Sequence, residues 1–174
     1  DGTEGLVMAF TGLGSLSYGE QAGERMKLGV LLHDPEEEHD CFSDNTHNSH
    51  YYDGLGIRNV YTGRYVRVDG SVVEGPSLND YVAERDADLA SNLMADINHT
   101  MMQLGAIKST AEAGTSYDQM LAAGNEAGEA LIMSAVDALV AQTRNIERAV
   151  AVAGLEGVSV EGSDSLDDEA AVFQ

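Results

Sequence analysis

Apolar residues recur along this chain at the three- and four-residue spacing of an α-helix, in four long stretches separated by turn-rich segments. The stretches cover residues 3–32, 46–65, 78–107 and 117–153. The third has the clearest apolar stripe, formed by Val82, Leu89, Leu93, Ile97, Met101 and Leu104. Four helices of this length predict an all-α, up-and-down-type four-helix bundle.

Two segments depart from the helical pattern. Between the second and third helices, residues 66–76 carry two β-branched runs around Asp69-Gly70, a dipeptide that favours a tight turn, which predicts a small β-hairpin. After Gly154, a natural helix stop, the chain becomes acidic and rich in Ser and Gly. We therefore divide the chain into a helical bundle, residues 1–154, and an extended acidic C-terminal tail, residues 155–174, whose few apolar residues could still dock on the bundle.

The first helix contains an unusual number of glycines. Each glycine costs up to about 1 kcal/mol relative to alanine in a helix interior. The positions are Gly5, Gly12, Gly14, Gly19, Gly23 and Gly29. Either another helix or backbone segment packs very close to this helix, or the helix is broken near Gly12–Gly14.

The second helix has defined ends in the sequence. Pro35 disfavours the α conformation at Asp34 and so ends the first helix at His33, and Ser43 or Asp44 can cap the start of the next. The residues predicted to share one face of the second helix are His47, Tyr51, Leu55 and Arg58.

Charge narrows the classes of partner. Thirty Asp and Glu stand against nine Lys and Arg, giving a formal net charge of -21. This charge repels nucleic acid and anionic membrane surfaces, so we expect neither as a partner. No stretch approaches about 18 consecutive apolar residues, so we expect no membrane span. The single cysteine, Cys41, cannot form an internal disulfide.

Residues 33–50 are the segment richest in candidate metal ligands, with four of the five histidines, Cys41 and six carboxylates. Their spacing matches no tight metal template, since the chain has neither CxxC nor HExxH. Glu20 and Glu24 lie one turn apart on the first helix, and together with His47 they are candidate iron ligands between facing helices. Ordinary ion pairing of these glutamates is the alternative, with Arg25 or Lys27 on the same helix or, for example, with Arg58 or Arg64.

Residues 12–65 resemble the imelysin-like family, particularly its iron-regulated protein A branch. The most specific phrase is CFSDNTH, residues 41–47, and the ending LEGVSVEGSDSLDDEAAVFQ is also similar to that branch. The resemblance implies a protein of two helical bundles with a site between them, this chain corresponding to the C-terminal half. The family's GxHxxE motif is absent, because its nearest counterpart has Leu31 in place of Gly and contains Pro35.

What the resemblance implies for function is a set of expectations. The chain is expected to be an extracytoplasmic module, periplasmic or on the cell surface, that serves iron acquisition by binding iron or an iron-bearing ligand. Its partner is expected to be the N-terminal half of the same protein, as a separate chain or a cleaved fragment. A metallopeptidase and a metal-free structural or interaction domain are the alternatives, and no catalytic residue is assigned. The expected ligand or interface residues are Tyr18, Glu20, Glu24, Arg25, Ser43, Asp44, Asn45 and His47.

Overall fold

The computed structural model describes residues 2–173, so Asp1 and Gln174, the outer ends of the two predicted units, lie outside the described residues. The described chain consists of helices and one two-stranded antiparallel hairpin, joined by loops. In chain order its elements are α1 (Gly2–Ser15), a π-helical segment (Leu16–Lys27), α2 (Leu28–Leu32), a 3-10 turn (Pro35–Glu37), α3 (Thr46–Thr62), β1 (Arg64–Val66), β2 (Val72–Glu74), α4 (Leu78–Ala83), α5 (Ala87–Glu112), α6 (Tyr117–Leu121), α7 (Glu126–Ala153), α8 (Asp164–Asp167) and a 3-10 helix (Glu169–Phe173).

Four long helical rods form the body of the protein. The first is continuous through α1, the π-helical segment and α2, because the residues at both junctions keep right-handed helical backbone angles. It packs against α3 and α7, which both pack against α5, so the four rods close into a bundle. The predicted all-α bundle with a small hairpin is therefore confirmed. Among the described residues, no helix combines the length and apolar character needed to cross a membrane.

The interior has two apolar clusters with polar side chains between them. One cluster includes Phe10, Ile57, Leu93 and Ile146, and the other includes Met26, Leu104, Tyr117, Ile132 and Leu139. Between Leu139 and Ile146 on α7 lies the buried Gln142, which donates to Ser17 Oγ at 2.8 Å, and Ser17 donates in turn to the Leu13 carbonyl. Buried polar groups need partners of this kind, so the pair fixes the register between the first rod and α7.

The predicted third and fourth helices are each divided in two. Instead of one helix over 78–107, α4 ends before Asp86, whose extended backbone and side chain cap α5 by accepting from Leu89 N at 2.9 Å. Instead of one helix over 117–153, the chain turns at Gly124, with φ of 87°, and Asn125 caps α7 by accepting from Gly128 N at 3.0 Å. Side-chain caps compete with helix continuation, which explains both breaks.

The buried face of α3 lies one position away from the face that His47, Tyr51, Leu55 and Arg58 share. The residues of α3 that are buried are Thr46, His50, Gly54, Ile57 and Tyr61. Gly54 lies on the buried face where α3 approaches α5, and a Cβ there would collide with the Leu104 side chain unless one of the two shifted. Neither predicted cap is at the N-cap position: Asn45 occupies it without a side-chain hydrogen bond to the helix, and Asp44 before it has a positive φ of 51°.

Candidate functional site

The first rod contains a 12-residue π-helical segment at its centre. At its end the Leu28 N–H bonds to the Gly23 carbonyl, five residues back, instead of four as in an α-helix. π-helices are rare, occur mostly as single turns, and are frequent at functional sites. A segment of this length is therefore the first structural pointer to a site, and the polar residues around it define where that site lies.

One side of this segment carries a connected set of polar groups. Arg25 Nε donates to Glu20 Oε2 at 2.9 Å, and both side chains are partly exposed. Arg25 Nη1 also contacts the ring of His39, lying 3.3 Å from Nε2 and closer to Nδ1. His39 belongs to the loop that precedes α3, so Arg25 ties the first rod to that loop.

Two carboxylates complete this surface. Asp40 accepts from Ser49 Oγ through Oδ2, and its backbone N–H donates to Thr46 Oγ1 at 2.9 Å, which fixes the loop on the start of α3. Asp53 is half-buried on α3, and burial raises its pKa. The positive charge of Arg25 lowers this pKa, whereas the negative charges of Asp40 and Glu20 raise it further. A carboxyl with a raised pKa in such surroundings is a candidate functional group.

Directly beneath lies a buried histidine. His50 is fully buried, and its ring is 6.4 Å from that of His39 and 5.1 Å from that of Tyr117, measured between centroids. Its backbone carbonyl accepts from Gln21 Nε2 at 2.7 Å, but neither ring nitrogen has a hydrogen-bond partner. Burial, aided by the Arg25 charge, lowers its pKa to about 3, so the ring is neutral.

We refer to Glu20, Arg25, His39, Asp40, His50 and Asp53 as the polar seam. It joins the π-helical segment, the loop over 38–45 and α3. Glu38 borders it: this side chain is 7% exposed, its Oε2 has no partner, and burial raises its pKa despite a hydrogen bond with Thr46. Unpartnered buried polar atoms are uncommon, so those of His50 and Glu38 make the seam a candidate site.

The structure separates the expected site residues into four places. Glu20 and Arg25 lie in the polar seam, whereas Tyr18 and Glu24 contact the C-terminal tail through Asp167 and Ser163. The loop residues Ser43, Asp44 and Asn45 are exposed. His47 contacts Asn48 at 3.1 Å, and Asn48 accepts from Lys108 of α5, so His47 lies beside α5.

The three expected metal ligands do not come together. Glu20 pairs with Arg25, Glu24 accepts from Ser163 Oγ at 2.6 Å, and His47 is placed beside α5. Within residues 2–173, no three His, Cys, Asp or Glu side chains are grouped closely enough to hold a metal ion. The alternative of ordinary ion pairing is observed for Glu20, whose partner is Arg25, whereas Arg64 pairs with Glu74 at 2.7 Å.

Sequence reasoning missed His39, His50 and Asp53 as members of one site. His39 belongs to the ligand-rich segment over residues 33–50, but it lies in a loop. Because loops have no periodic pattern, the sequence does not predict which side chains lie near it. His50 and Asp53 carried a usable signal: they lie three residues apart and thus on one side of α3, next to His47 on the next turn.

Comparison with known proteins adds a family assignment to this geometry. The family model described as Imelysin, Peptidase_M75, matches residues 1–146. A search of curated proteins finds no match. The matched range includes every residue of the polar seam and ends before the C-terminal tail. This chain belongs to the imelysin family.

Proposed function

We propose that this chain is a helical module of an extracytoplasmic imelysin-like protein that serves iron acquisition, and that its polar seam contributes to binding iron or an iron-bearing ligand. The observation that carries this proposal is the seam itself, in which an imidazole and three carboxylates surround Arg25 above the unpartnered ring of His50. Carboxylate oxygens and imidazole nitrogens are donor types that suit iron.

The donor types fit iron, but their number does not make a complete site. The side chains that the structure describes include no group of three ligands, so this chain alone offers no full coordination shell. The Arg25 guanidinium beside Glu20 also repels a bare cation, whereas it can pair with carboxylates of an iron chelate. These features favour an iron-bearing ligand whose remaining contacts come from a second surface.

We infer that this second surface belongs to the N-terminal half of the protein, as a separate chain or a cleaved fragment. In support, an apolar groove of about 320 Å³ opens between α1 and α3, and it is lined by Met8, Leu13, Gly12, Gly56 and Val60 among others. Met8 is 70% exposed and Val60 is 51% exposed. Exposed apolar surface of this kind is typical of an interface.

The alternative of a metal-free interaction domain rests on the same groove, which needs no metal to bind a partner. A metallopeptidase would require a metal that activates water, and the part of the chain that the structure describes has no three-ligand group for one.

The test is an iron titration of the chain alone and of its complex with the N-terminal half, using ferric citrate as the probe. Glu20→Gln and Asp53→Asn remove seam carboxylates without changing side-chain size, and His47→Gln, beside α5, is the matched control. We expect both seam variants to weaken binding by the complex and the control to leave it unchanged. Binding lost in His47→Gln but kept in the seam variants would refute the seam as the site, and no saturable binding by any form would favour the interaction domain.

A further inference from the structure

The C-terminal tail lies against the π-helical segment at two glycines. A Cβ at Gly19 would lie 2.6 Å from the carbonyl oxygen of Glu161, and one at Gly23 would lie 2.5 Å from Ser163 Oγ. Atoms cannot approach so closely, so any larger residue at either position would push the tail away. The tail also donates its Glu161 N–H to Ser15 Oγ at 3.0 Å.

Two side-chain contacts extend this docking along the segment. Tyr18 donates to Asp167 Oδ1 at 2.7 Å, and Lys27 Nζ lies 2.6 Å from Glu169 Oε1. Tyr18 and Lys27 are nine residues apart, which at ~100° per residue would place them on opposite sides of an α-helix. They can both face the tail because each wider π-helical turn holds about one residue more.

The polar seam depends on the same wide turns from the other side of the helix. Glu20 and Arg25, which form the 2.9 Å ion pair, are five residues apart. In an α-helix such residues lie roughly 140° apart around the axis, whereas residues three and four apart are neighbours. The i→i+5 repeat of the π-helix places them one above the other. Tail docking and seam geometry thus require the same unusual backbone.

We propose that tail residues 158–173 act as a clasp that holds residues 16–27 in the π-helical conformation and thereby sets the geometry of the polar seam. A π-helix is not maintained over this length by its own hydrogen bonds, as shown by its rarity, so tertiary contacts must hold it. Release of the tail lets the segment relax to an α-helix, which rotates Glu20 away from Arg25 and disconnects Arg25 from His39. The tail therefore controls the seam across the thickness of the helix.

The test uses variants of the full chain that change only the tail. Asp167→Ala combined with Glu169→Gln removes the contacts with Tyr18 and Lys27 and leaves the π-helical sequence intact. The matched control, Glu156→Gln with Asp168→Asn, makes the same change in charge at exposed tail positions. Hydrogen exchange of residues 158–173 reports tail release, and the NMR signal of the Arg25 Nε–H group reports the seam.

We expect the variant Asp167→Ala with Glu169→Gln to speed hydrogen exchange of the tail by roughly tenfold. It should also shift the Arg25 Nε–H signal and speed the exchange of that proton with solvent. The control variant should do neither. A second pair provides the same comparison within the helix: Gly23→Ala collides with Ser163, whereas a Cβ at Gly12 meets nothing within 4 Å. A released tail with an unchanged Arg25 signal would overturn the proposal. Unchanged tail exchange in both the clasp variant and Gly23→Ala would overturn it as well.

Discussion

The buried, unprotonated ring of His50 predicts a specific loss of stability in acid. Burial lowers the pKa of His50 from 6.5 to about 3, so the unfolded chain takes up a proton at a pH where the folded protein does not. The stability that the neutral His50 contributes is fully present above the pKa of the unfolded state. It is lost as the pH drops from about 6.5 toward 3. Between pH 7 and pH 5 the expected loss is about 2 kcal/mol in the free energy of unfolding.

Other ionisable groups also make the stability depend on pH, so the prediction concerns the difference in stability between wild type and a variant. The raised pKa values of Glu38 and Asp53 mean that these carboxyls bind protons first in the folded state, which stabilises the protein as the pH falls. His50→Phe keeps a buried aromatic ring but removes the titration, and His99→Gln, at an exposed position of α5, is the control.

The assay is urea unfolding of the three proteins at pH 7, 6 and 5, with the slope m compared to confirm that the same surface unfolds. The stability of His50→Phe relative to wild type should rise by about 2 kcal/mol between pH 7 and pH 5. The profile of His99→Gln gives the effect of replacing a histidine that is not buried. Parallel pH profiles of wild type and His50→Phe would refute the argument that His50 is held neutral by burial.

Three further predictions concern packing and caps, and all are measured by urea or thermal unfolding. Gly54→Ala should destabilise the protein by about 1–3 kcal/mol because the added Cβ collides with Leu104. Gly56→Ala is the control: its Cβ has open space around it, so it should stabilise α3 by up to ~1 kcal/mol. Equal effects of the two substitutions would contradict the close packing of α3 on α5. Asp86→Ala should cost about 1 kcal/mol through loss of the cap of α5, and a neutral result would mean that the helix break does not depend on that cap. Leu93→Ala should cost ~2–5 kcal/mol, since this side chain is fully buried, and a loss below 1 kcal/mol would place the core elsewhere.

Much of the fold follows from periodicity and turn chemistry. The apolar stripe of the third helix is buried as predicted from Val82 to Leu104, since burial of one face is what creates a helical repeat. His33 and Gly154 end their helices with left-handed backbone angles, and Asp69-Gly70 forms the hairpin turn. These features are local, and for that reason the sequence alone is sufficient to predict them.

The candidate site was harder to predict because its geometry depends on contacts between distant segments. An apolar pattern does not distinguish an i→i+4 from an i→i+5 repeat over 12 residues, so the π-helical backbone that brings Glu20 and Arg25 together was not predicted. The glycine-rich composition of the first helix did predict a close neighbour, and this is confirmed at Gly19 and Gly23, where the neighbour is the tail. At Gly12 nothing lies close, and the alternative of a helix broken there is wrong.

The hairpin has a practical consequence for experiments on this protein. Both strands are exposed along their full length, and Arg64 forms an ion pair with Glu74 where the strands leave the bundle. At its base Gly63 adopts a left-handed conformation against Pro76, so the hairpin is anchored at one end only. Exposed turn tips of small and polar residues tolerate insertions well. An affinity tag or a fluorophore placed between Asp69 and Gly70 would thus leave the bundle and its seam undisturbed.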